Sequence, residues 1–188
     1  MQDIEPFYGW EFYYNSTEDE LSPFHGLDYN LEQYSSEIYG YYIHPLWDYI
    51  GSETLYIKIL YANYDNGILI MELFGEWNDA LHNDIMHLKR NVIDHFTLQG
   101  ITKYILLGEN VFNFHGSDDC YYEEWFEDME DGWITAIGFR EHVLEEWKKY
   151  GIDSYLNFGG ALEIDTWRTM LPSVLAEHVG GLMARRLG

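Results

Sequence analysis

From Leu55 onward, the chain alternates short segments rich in β-branched and aromatic residues with longer segments of helical periodicity. The first two apolar segments, 55–61 and 68–74, are separated by a turn containing Asn66-Gly67, the strongest short signal for a hairpin. The later strands alternate with helices, which is typical of parallel strands joined by helical crossovers. The pattern therefore predicts an α/β domain whose mixed, largely parallel sheet begins with an antiparallel hairpin.

About four helices and several further strands follow the hairpin. Apolar residues at spacings of three and four define the first helix, and Gly100 can end it. Pro172 favours the start of the last helix, because proline is tolerated in a first turn and not deeper. The predicted helices cover 78–99, 118–130, 140–150 and the segment from 172, the strands cover 102–107, 133–139 and 154–158, and 108–117 is a loop.

This order of elements resembles the STAS-like fold of anti-sigma-factor antagonists and sulfate-transporter tails, and the stand-alone SpoIIAA-like members most of all. The resemblance is carried by the hairpin 55–74, the long helix, the strand 103–107, the Trp- and Phe-rich helix and the strand 133–138. It spans residues 55–188 and implies a single STAS-like domain over 53–188. A protein of this kind is expected to regulate a protein partner.

The resemblance also implies a possible phosphosite. In antagonists of this family, a serine at the start of the second helix is phosphorylated, and this releases a partner. The matching position is Ser117, but Asp118 and Asp119 follow it where the family has an Asp-Ser-Ser-Gly-like stretch. These acids would repel a phosphate, although a helix N-terminus partly offsets the repulsion. The alternative is that Ser117 simply caps the helix.

Residues 1–52 lie outside the resemblance and have an unusual composition. Residues 1–57 contain eleven acidic and fifteen aromatic residues, and the first basic side chain is Lys58. Disordered acidic segments are normally poor in aromatics, and exposed aromatic clusters form large apolar patches. We therefore expect an extension, with one short helix near 30–38, that docks on the domain. The candidate partner surface comprises Tyr41, Tyr42, Trp47, Tyr49, Glu123 and Glu127.

The formal net charge of −23 restricts the class of partner. A field of this sign disfavours nucleic acid, anionic membranes and phosphate-rich substrates, and it favours basic proteins or cations. Cys120 is the only cysteine, so no intrachain disulfide can form. The sequence shows neither a signal peptide nor an apolar stretch of membrane-spanning length, so we expect a cytoplasmic protein without membrane insertion.

The segment 108–120 is the best candidate for a ligand or partner loop. It follows a predicted central strand, and open α/β sheets bind ligands at the carboxyl ends of their strands. Neither a metal-ligand spacing nor a nucleophile motif occurs, so we predict no catalytic residue, no metal and no cofactor. Cys120 is interpreted as a small buried helix residue. The candidate side chains of the segment are Glu109, Asn113, His115, Ser117, Asp118 and Asp119.

Two predicted helices have polar faces. The first aligns Asp84, His87, Asn91, Asp94 and His95, which could serve a proton relay or a metal, although a solvated face is the ordinary interpretation. The second has an acidic outer face, which is either solvated or a docking site for a basic partner. Its aromatic side chains and Met129 are predicted to face inward. The inward set is Tyr121, Tyr122, Trp125, Phe126 and Met129.

Three functions stay open at this point. The favoured one is a non-catalytic interaction or regulatory module that presents acidic and aromatic surfaces to a protein partner. The second is a small-ligand-binding protein or an enzyme that uses segment 108–120. The third is an acidic mimic of nucleic acid that occupies a basic groove.

Overall fold

The computed structural model describes residues 2–34 and 37–188, and a six-stranded sheet forms its centre. The strands are β4 (Asp48–Tyr49), β5 (Leu55–Asn63), β6 (Ile68–Asn78), β7 (Lys103–His115), β8 (Trp133–Ile137) and β9 (Leu156–Asn157), and they pair in this order. β4 to β6 pair antiparallel, whereas β6 to β9 pair parallel. The predicted α/β class, with a mixed and largely parallel sheet that begins with a hairpin, is confirmed.

Three short strands near the N-terminus form a second sheet. They are β1 (Gln2–Ile4), β2 (Glu37–Ile38) and β3 (Tyr41–Ile43), with β3 in the centre. The predicted short helix near 30–38 is wrong for the described residues, because 30–34 form turn and coil and 37–38 form β2. Residues 35 and 36 of that prediction lie outside the described part.

The helices are α1 (Asp79–His82), α2 (Asp84–Leu88), α3 (Asp94–Leu98), α4 (Cys120–Asp128), α5 (Glu141–Lys149) and α6 (Pro172–Leu187). The predicted continuous helix 78–99 is broken at Asn83, which adopts the left-handed conformation, and residues 89–93 form a π-helical turn. An α-helix cannot pass through a left-handed residue, so α1 and α2 change direction there. No helix in the described part is long and apolar enough to cross a membrane.

The helices pack on both faces of the large sheet. Leu69, Met71 and Leu73 of β6 face a core formed with α2 to α5. Ile68 and Ile70 of the same strand face a second core formed with α6. The alternation predicted for this strand is therefore observed, and both of its faces are buried.

β7 is longer than the sequence predicted. The predicted loop 108–117 is wrong, because β7 continues to His115 and pairs with β6 as far as Asn78. Two register shifts in this pairing accommodate the extra length. Polar residues at alternate positions, which suggested a loop, instead lie on the half-exposed face of a long strand.

The N-terminal segment contacts the rest of the protein at both ends. The indole of Trp10 donates to the carbonyl of Met170 at 2.9 Å and makes edge contacts with Phe7 and Trp167. At the other end, β4 pairs with β5. The division into an extension 1–52 and a domain 53–188 stays a prediction, although these contacts agree with a docked segment.

Candidate functional site

Glu109 of the predicted ligand segment is bonded within the protein. Its carboxylate accepts hydrogen bonds from the Trp167 indole at 2.8 Å and from Arg168 at 2.6 Å. Each carboxylate oxygen therefore has a donor. The side chain attaches the segment before α6 to β7.

Asn113 and His115 lie at the end of β7 in a polar cluster with Glu76 of β6. His115 Nε2 lies 3.0 Å from Glu76 Oε1 and 3.2 Å from Asn113 Nδ2. The Tyr39 hydroxyl donates to the other Glu76 oxygen at 2.7 Å. The cluster thus joins the N-terminal segment to the carboxyl ends of the two central strands.

Ser117, Asp118 and Asp119 precede α4. Ser117 is exposed and does not cap the helix, so that interpretation is wrong. Asp118 Oδ1 instead accepts from the Cys120 backbone N–H at 3.2 Å, and Asp119 accepts from the Tyr155 hydroxyl at 2.9 Å. Cys120 is exposed, contrary to the prediction of a buried helix residue. Its thiol bonds to Asp118 and lowers the pKa of that carboxyl.

A cavity of about 250 Å³ adjoins the start of α4, and Ser117, Asp118 and Asp79 are among the residues that line it. A phosphate on Ser117 would lie beside the charged Asp118. The structure therefore offers an acidic environment at the matched serine. Phosphorylation of Ser117 stays a prediction.

Two carboxylates at the starts of α1 and α2, Asp79 and Asp84, are buried, and Asp79 also lines this cavity. Asp79 accepts from the Tyr122 hydroxyl at 2.6 Å, the Ile85 N–H at 2.8 Å and the Trp77 indole at 3.1 Å. Burial raises the pKa of Asp79 to about 7, although the bonds from Tyr122 and Ile85 lower it. The second carboxylate, Asp84, is fully buried.

The sequence suggested that Asp84 lies on a solvated helix face, and this is wrong because the side chain is buried. Its Oδ2 accepts from the Asn78 N–H and the Thr54 hydroxyl, both at 2.8 Å. Two other members of the predicted polar row hold the N-terminal segment. The Asn91 amide donates to the Ile50 carbonyl at 2.7 Å, and His95 Nε2 lies 3.0 Å from the Leu21 carbonyl.

Glu72 is a third buried carboxylate, in the middle of β6. It accepts from the Phe7 backbone N–H at 2.7 Å and from the Asn110 amide at 3.1 Å. Arg168 lies 3.9 Å away. Burial raises the pKa of Glu72 to about 7. A charged residue inside an otherwise apolar strand was visible in the sequence and is the signal that could have identified it.

A different set of acids is neutralised by bases between α2 and α4. Lys89 is fully buried and bonds to Asp94 and Asp128, the latter at 2.8 Å. Arg90 reaches both oxygens of Glu124, at 2.6 and 2.8 Å. This cluster combines two cations with three carboxylates and leaves little net charge.

Tyrosine hydroxyls donate to three acids of the N-terminal stretch and to Glu76 of β6. The tyrosine–carboxylate pairs are Tyr14–Asp19, Tyr64–Asp19, Tyr29–Asp48, Tyr34–Asp3 and Tyr39–Glu76. Within the described residues, Asp48 is the one acid of these pairs that also has a Lys or Arg partner, Lys58 at 3.6 Å. A hydroxyl satisfies a carboxylate oxygen without cancelling its charge, so the negative field of this region persists.

The predicted partner surface is divided by the fold. Tyr42 and Tyr49 are exposed and Tyr41 is half-buried, with its ring stacked on Phe112. Trp47 is buried and stacks on a strand residue, Phe74, so it is unavailable to a partner and its assignment to the surface is wrong.

On α4, Glu123 and Glu127 are exposed as predicted for its outer face. Tyr122, Trp125 and Met129 are buried beneath them. Phe126 is exposed, which contradicts its predicted inward position. α4 therefore presents both acids and one aromatic ring.

Exposed apolar side chains are concentrated in the N-terminal part of the chain. Sixteen large hydrophobic side chains are exposed among the described residues, and ten of them lie between Tyr8 and Tyr49. The ten are Tyr8, Phe12, Tyr13, Leu21, Leu27, Leu31, Tyr34, Tyr39, Tyr42 and Tyr49. This stretch contains no Lys or Arg, so it combines apolar surface with uncompensated negative charge.

Asp3, Glu5 and His44 come together and could in principle hold a metal ion. The buried His44 points Nε2 at the two acids, 3.6 Å from Glu5 and 4.0 Å from Asp3. Its Nδ1 accepts from the Leu46 backbone N–H at 3.1 Å. A backbone N–H can only donate, so the neutral ring carries its proton on Nε2, and this tautomer presents a donor and not a ligand.

Two solved structures that are similar to this chain are of SpoIIAA proteins. The first is the anti-sigma factor antagonist SpoIIAA in its unphosphorylated form, with 12% identity, a TM-score of 0.45, and coverage of 66% of this chain and 96% of that one. The second is the Bacillus cell fate determinant SpoIIAA in the phosphorylated form, with 11% identity, a TM-score of 0.38, and coverage of 56% and 92%. The predicted resemblance to SpoIIAA is thus confirmed as a resemblance. No protein-family model and no curated protein sequence matches the chain.

Proposed function

We propose that the protein is a non-catalytic interaction module with a regulatory role, and that residues 2–57 present an acidic and aromatic surface to a basic protein partner. The observation that carries this proposal is the concentration of ten exposed apolar side chains in a stretch without a basic residue before Lys58. Apolar anchors within a charged rim are what a protein interface requires. The expected cytoplasmic location stays a prediction from the sequence.

The geometry of the acids supports the same assignment. Tyrosine hydroxyls hold Asp3 and Asp19 in place while their charges persist. Fixed negative charges steer a basic partner and raise its association rate, especially at low ionic strength. The cluster around Lys89 and Arg90 lacks this property because its charges largely cancel.

The competing functions have less support. The loop proposed for a ligand or an active site is mostly strand, and Glu109 and Asp119 are bonded to Arg168 and Tyr155. For a nucleic-acid mimic, acids would have to follow a regular spacing along the surface. No observation on the described residues shows such a spacing, so none favours the nucleic-acid mimic over the protein-binding module.

Affinity capture from the native host tests the proposal. The immobilised protein is expected to retain a stoichiometric basic partner at about 50 mM salt and to release it as salt screens the field. A double variant Tyr42→Ser with Tyr49→Ser should lose the partner. The matched control, Phe126→Ser with Leu187→Ser, removes two exposed apolar side chains elsewhere and should keep it.

Two results would count against the proposal. If the wild-type protein retains no stoichiometric partner at low salt, it is not an interaction module of this kind. If both double variants lose the partner equally, residues 2–57 are not the binding surface.

A further inference from the structure

A groove of about 620 Å³ runs between the small N-terminal sheet and the edge of the large sheet. Ile43, Trp47 and Tyr56 contribute buried side chains to it, whereas Tyr49 is exposed beside it. The rings of Tyr49 and Tyr56 lie 6.3 Å apart. The groove is therefore lined by aromatic rings and by residues of both sheets.

The charges around the groove have one sign. Asp28 and Glu53 line it and are both exposed, and none of its eleven lining residues is Lys or Arg. The nearby Lys58 does not line it. Its ammonium lies 3.6 Å from Asp48 and 4.3 Å from the centroid of the Tyr29 ring, so its charge is directed to partners inside the protein.

One wall of the groove is preorganised. The hydroxyl of Tyr29 donates to the buried Asp48 and accepts from Lys58 at 3.1 Å, which fixes the orientation of the ring. A ring that is already ordered loses little conformational entropy when a ligand packs on it. The Tyr29 ring is thus already ordered when a ligand enters the groove.

We propose that this groove binds the guanidinium group of an arginine carried by a basic segment of the protein partner. A guanidinium can stack flat on an aromatic ring while its N–H groups reach carboxylates, here Asp28 and Glu53, and it is more weakly hydrated than an ammonium. The volume accommodates the arginine together with part of its flanking chain. The inference rests on the proposed function and names the residue that the surface recognises.

The test uses three fluorescent hexapeptides with identical end residues. The four central residues are all arginine in the first peptide, all lysine in the second and all citrulline, the neutral isostere of arginine, in the third. The wild-type protein should bind the arginine peptide more tightly than the lysine peptide and should not bind the citrulline peptide. Loss of a stacked ring and an acid, in Tyr49→Ala with Glu53→Gln, should weaken arginine-peptide binding about tenfold.

The matched control is Phe126→Ala with Glu145→Gln, which makes the same change in charge and removes an exposed ring on α4. It should alter the affinity by less than about twofold, since a distant exposed charge is largely screened at physiological salt. All four substituted residues are exposed, and thermal melting of both variants confirms that they stay folded.

Equal weakening in both variants would show that the peptide senses only the overall field, and the groove assignment would be overturned. Tight binding of the citrulline peptide would also overturn it. If the groove variant captures the host partner as well as the wild type does, the groove assignment is wrong while the proposed function stands. Specific arginine binding without any stoichiometric host partner would leave the groove assigned and contradict the proposed function.

Discussion

Two regions of this protein satisfy their acids in different ways, and the difference determines where the negative charge remains. Between α2 and α4, Asp94 and Glu124 accept hydrogen bonds from Lys89 and Arg90, whose charges offset theirs. In the N-terminal region and in β6, the acids accept mainly from neutral donors, such as the Tyr14 hydroxyl. Both regions are acidic and aromatic in sequence, so composition alone does not identify the charged surface. The type of donor does.

The same difference appears in the pKa values of the carboxyl groups. Burial raises the pKa of Asp94, but its hydrogen bonds from Lys89 and Arg90 outweigh this effect and lower it overall. The bond from Arg90 lowers the pKa of Glu124. Burial raises the pKa of Glu72 and Asp79 to about 7, because their neutral donors only partly stabilise the ionised form. The contrast leads to four predictions.

The largest of the four changes in stability is expected when the buried cation Lys89 is removed from the region that is neutralised by bases. Lys89→Met removes the ammonium that Asp94 and Asp128 share, together with its two charge-assisted hydrogen bonds, and the free energy of unfolding should fall by about 3 kcal/mol. Urea denaturation measures this change. Lys149→Met is the control, because Lys149 is an exposed member of a surface pair and should contribute almost nothing. Equal effects of the two substitutions would remove the basis of the comparison.

The buried acid Glu72 should make stability depend on pH. Its pKa in the folded protein is about 7, above the ordinary value of 4.5, so the folded state binds the proton more tightly than the unfolded state does. Its contribution to stability is therefore complete below about pH 4.5 and is lost as the pH rises to 7. Between pH 5 and pH 8, the wild type should lose about 2 kcal/mol more stability than Glu72→Gln.

Stability curves of the two proteins across this pH range give the measurement. The whole chain also gains negative charge as the pH rises, and the comparison with Glu72→Gln removes that shared term. Parallel curves would mean that Glu72 is ionised at no cost in the folded protein.

A tyrosine that donates to a buried acid should contribute less than the buried cation does. Tyr29→Phe removes the hydroxyl from Asp48, which keeps Lys58, and we expect a loss of about 1 to 2 kcal/mol. Tyr13→Phe alters an exposed ring and should be neutral. If the two variants unfold at the same urea concentration, tyrosine hydroxyls do not hold these acids in place.

The smallest effect is expected at the surface of α4. Glu124→Gln breaks the bidentate contact with Arg90 and should lower the free energy of unfolding by about 0.5 kcal/mol. The control Glu123→Gln should leave it unchanged, because Glu123 has no cation among its described contacts. Urea denaturation at low salt resolves such a difference best, because urea is uncharged and added salt would screen exposed pairs. A larger cost for Glu123→Gln would reverse the assignment of charge on this helix.

Much of the fold follows from patterns that the sequence displays directly. Asn66-Gly67 and the alternating apolar strands beside it predict the hairpin, and Pro172 marks the start of α6. The length of β7 could not be predicted in this way. Its polar residues up to His115 look like a loop until their pairing with β6 is known, and that pairing depends on contacts far apart in the sequence.

The site was harder to predict, because exposure depends on tertiary packing. Trp47 and Tyr49 are two residues apart in a segment without clear periodicity, yet the first is buried and the second exposed. Asp84 has the spacing of a surface helix residue, but the break at Asn83 turns it toward the Asn78 N–H. Local patterns identify elements, whereas the donors that surround an acid are set by the fold.

The pairing of β4 with β5 has a consequence for how the protein behaves in concentrated solution. β4 is the edge strand of the large sheet and pairs with β5 at Tyr56 and Ile57, so β5 would be the edge without it. A chain shortened to residues 53–188 would bare that edge together with the apolar surface now covered by Trp10, Phe24 and Trp47. Bare strand edges pair with one another, so such a chain should self-associate and precipitate. The N-terminal segment would then act as a solubilising cover for the sheet as well as a surface for a partner.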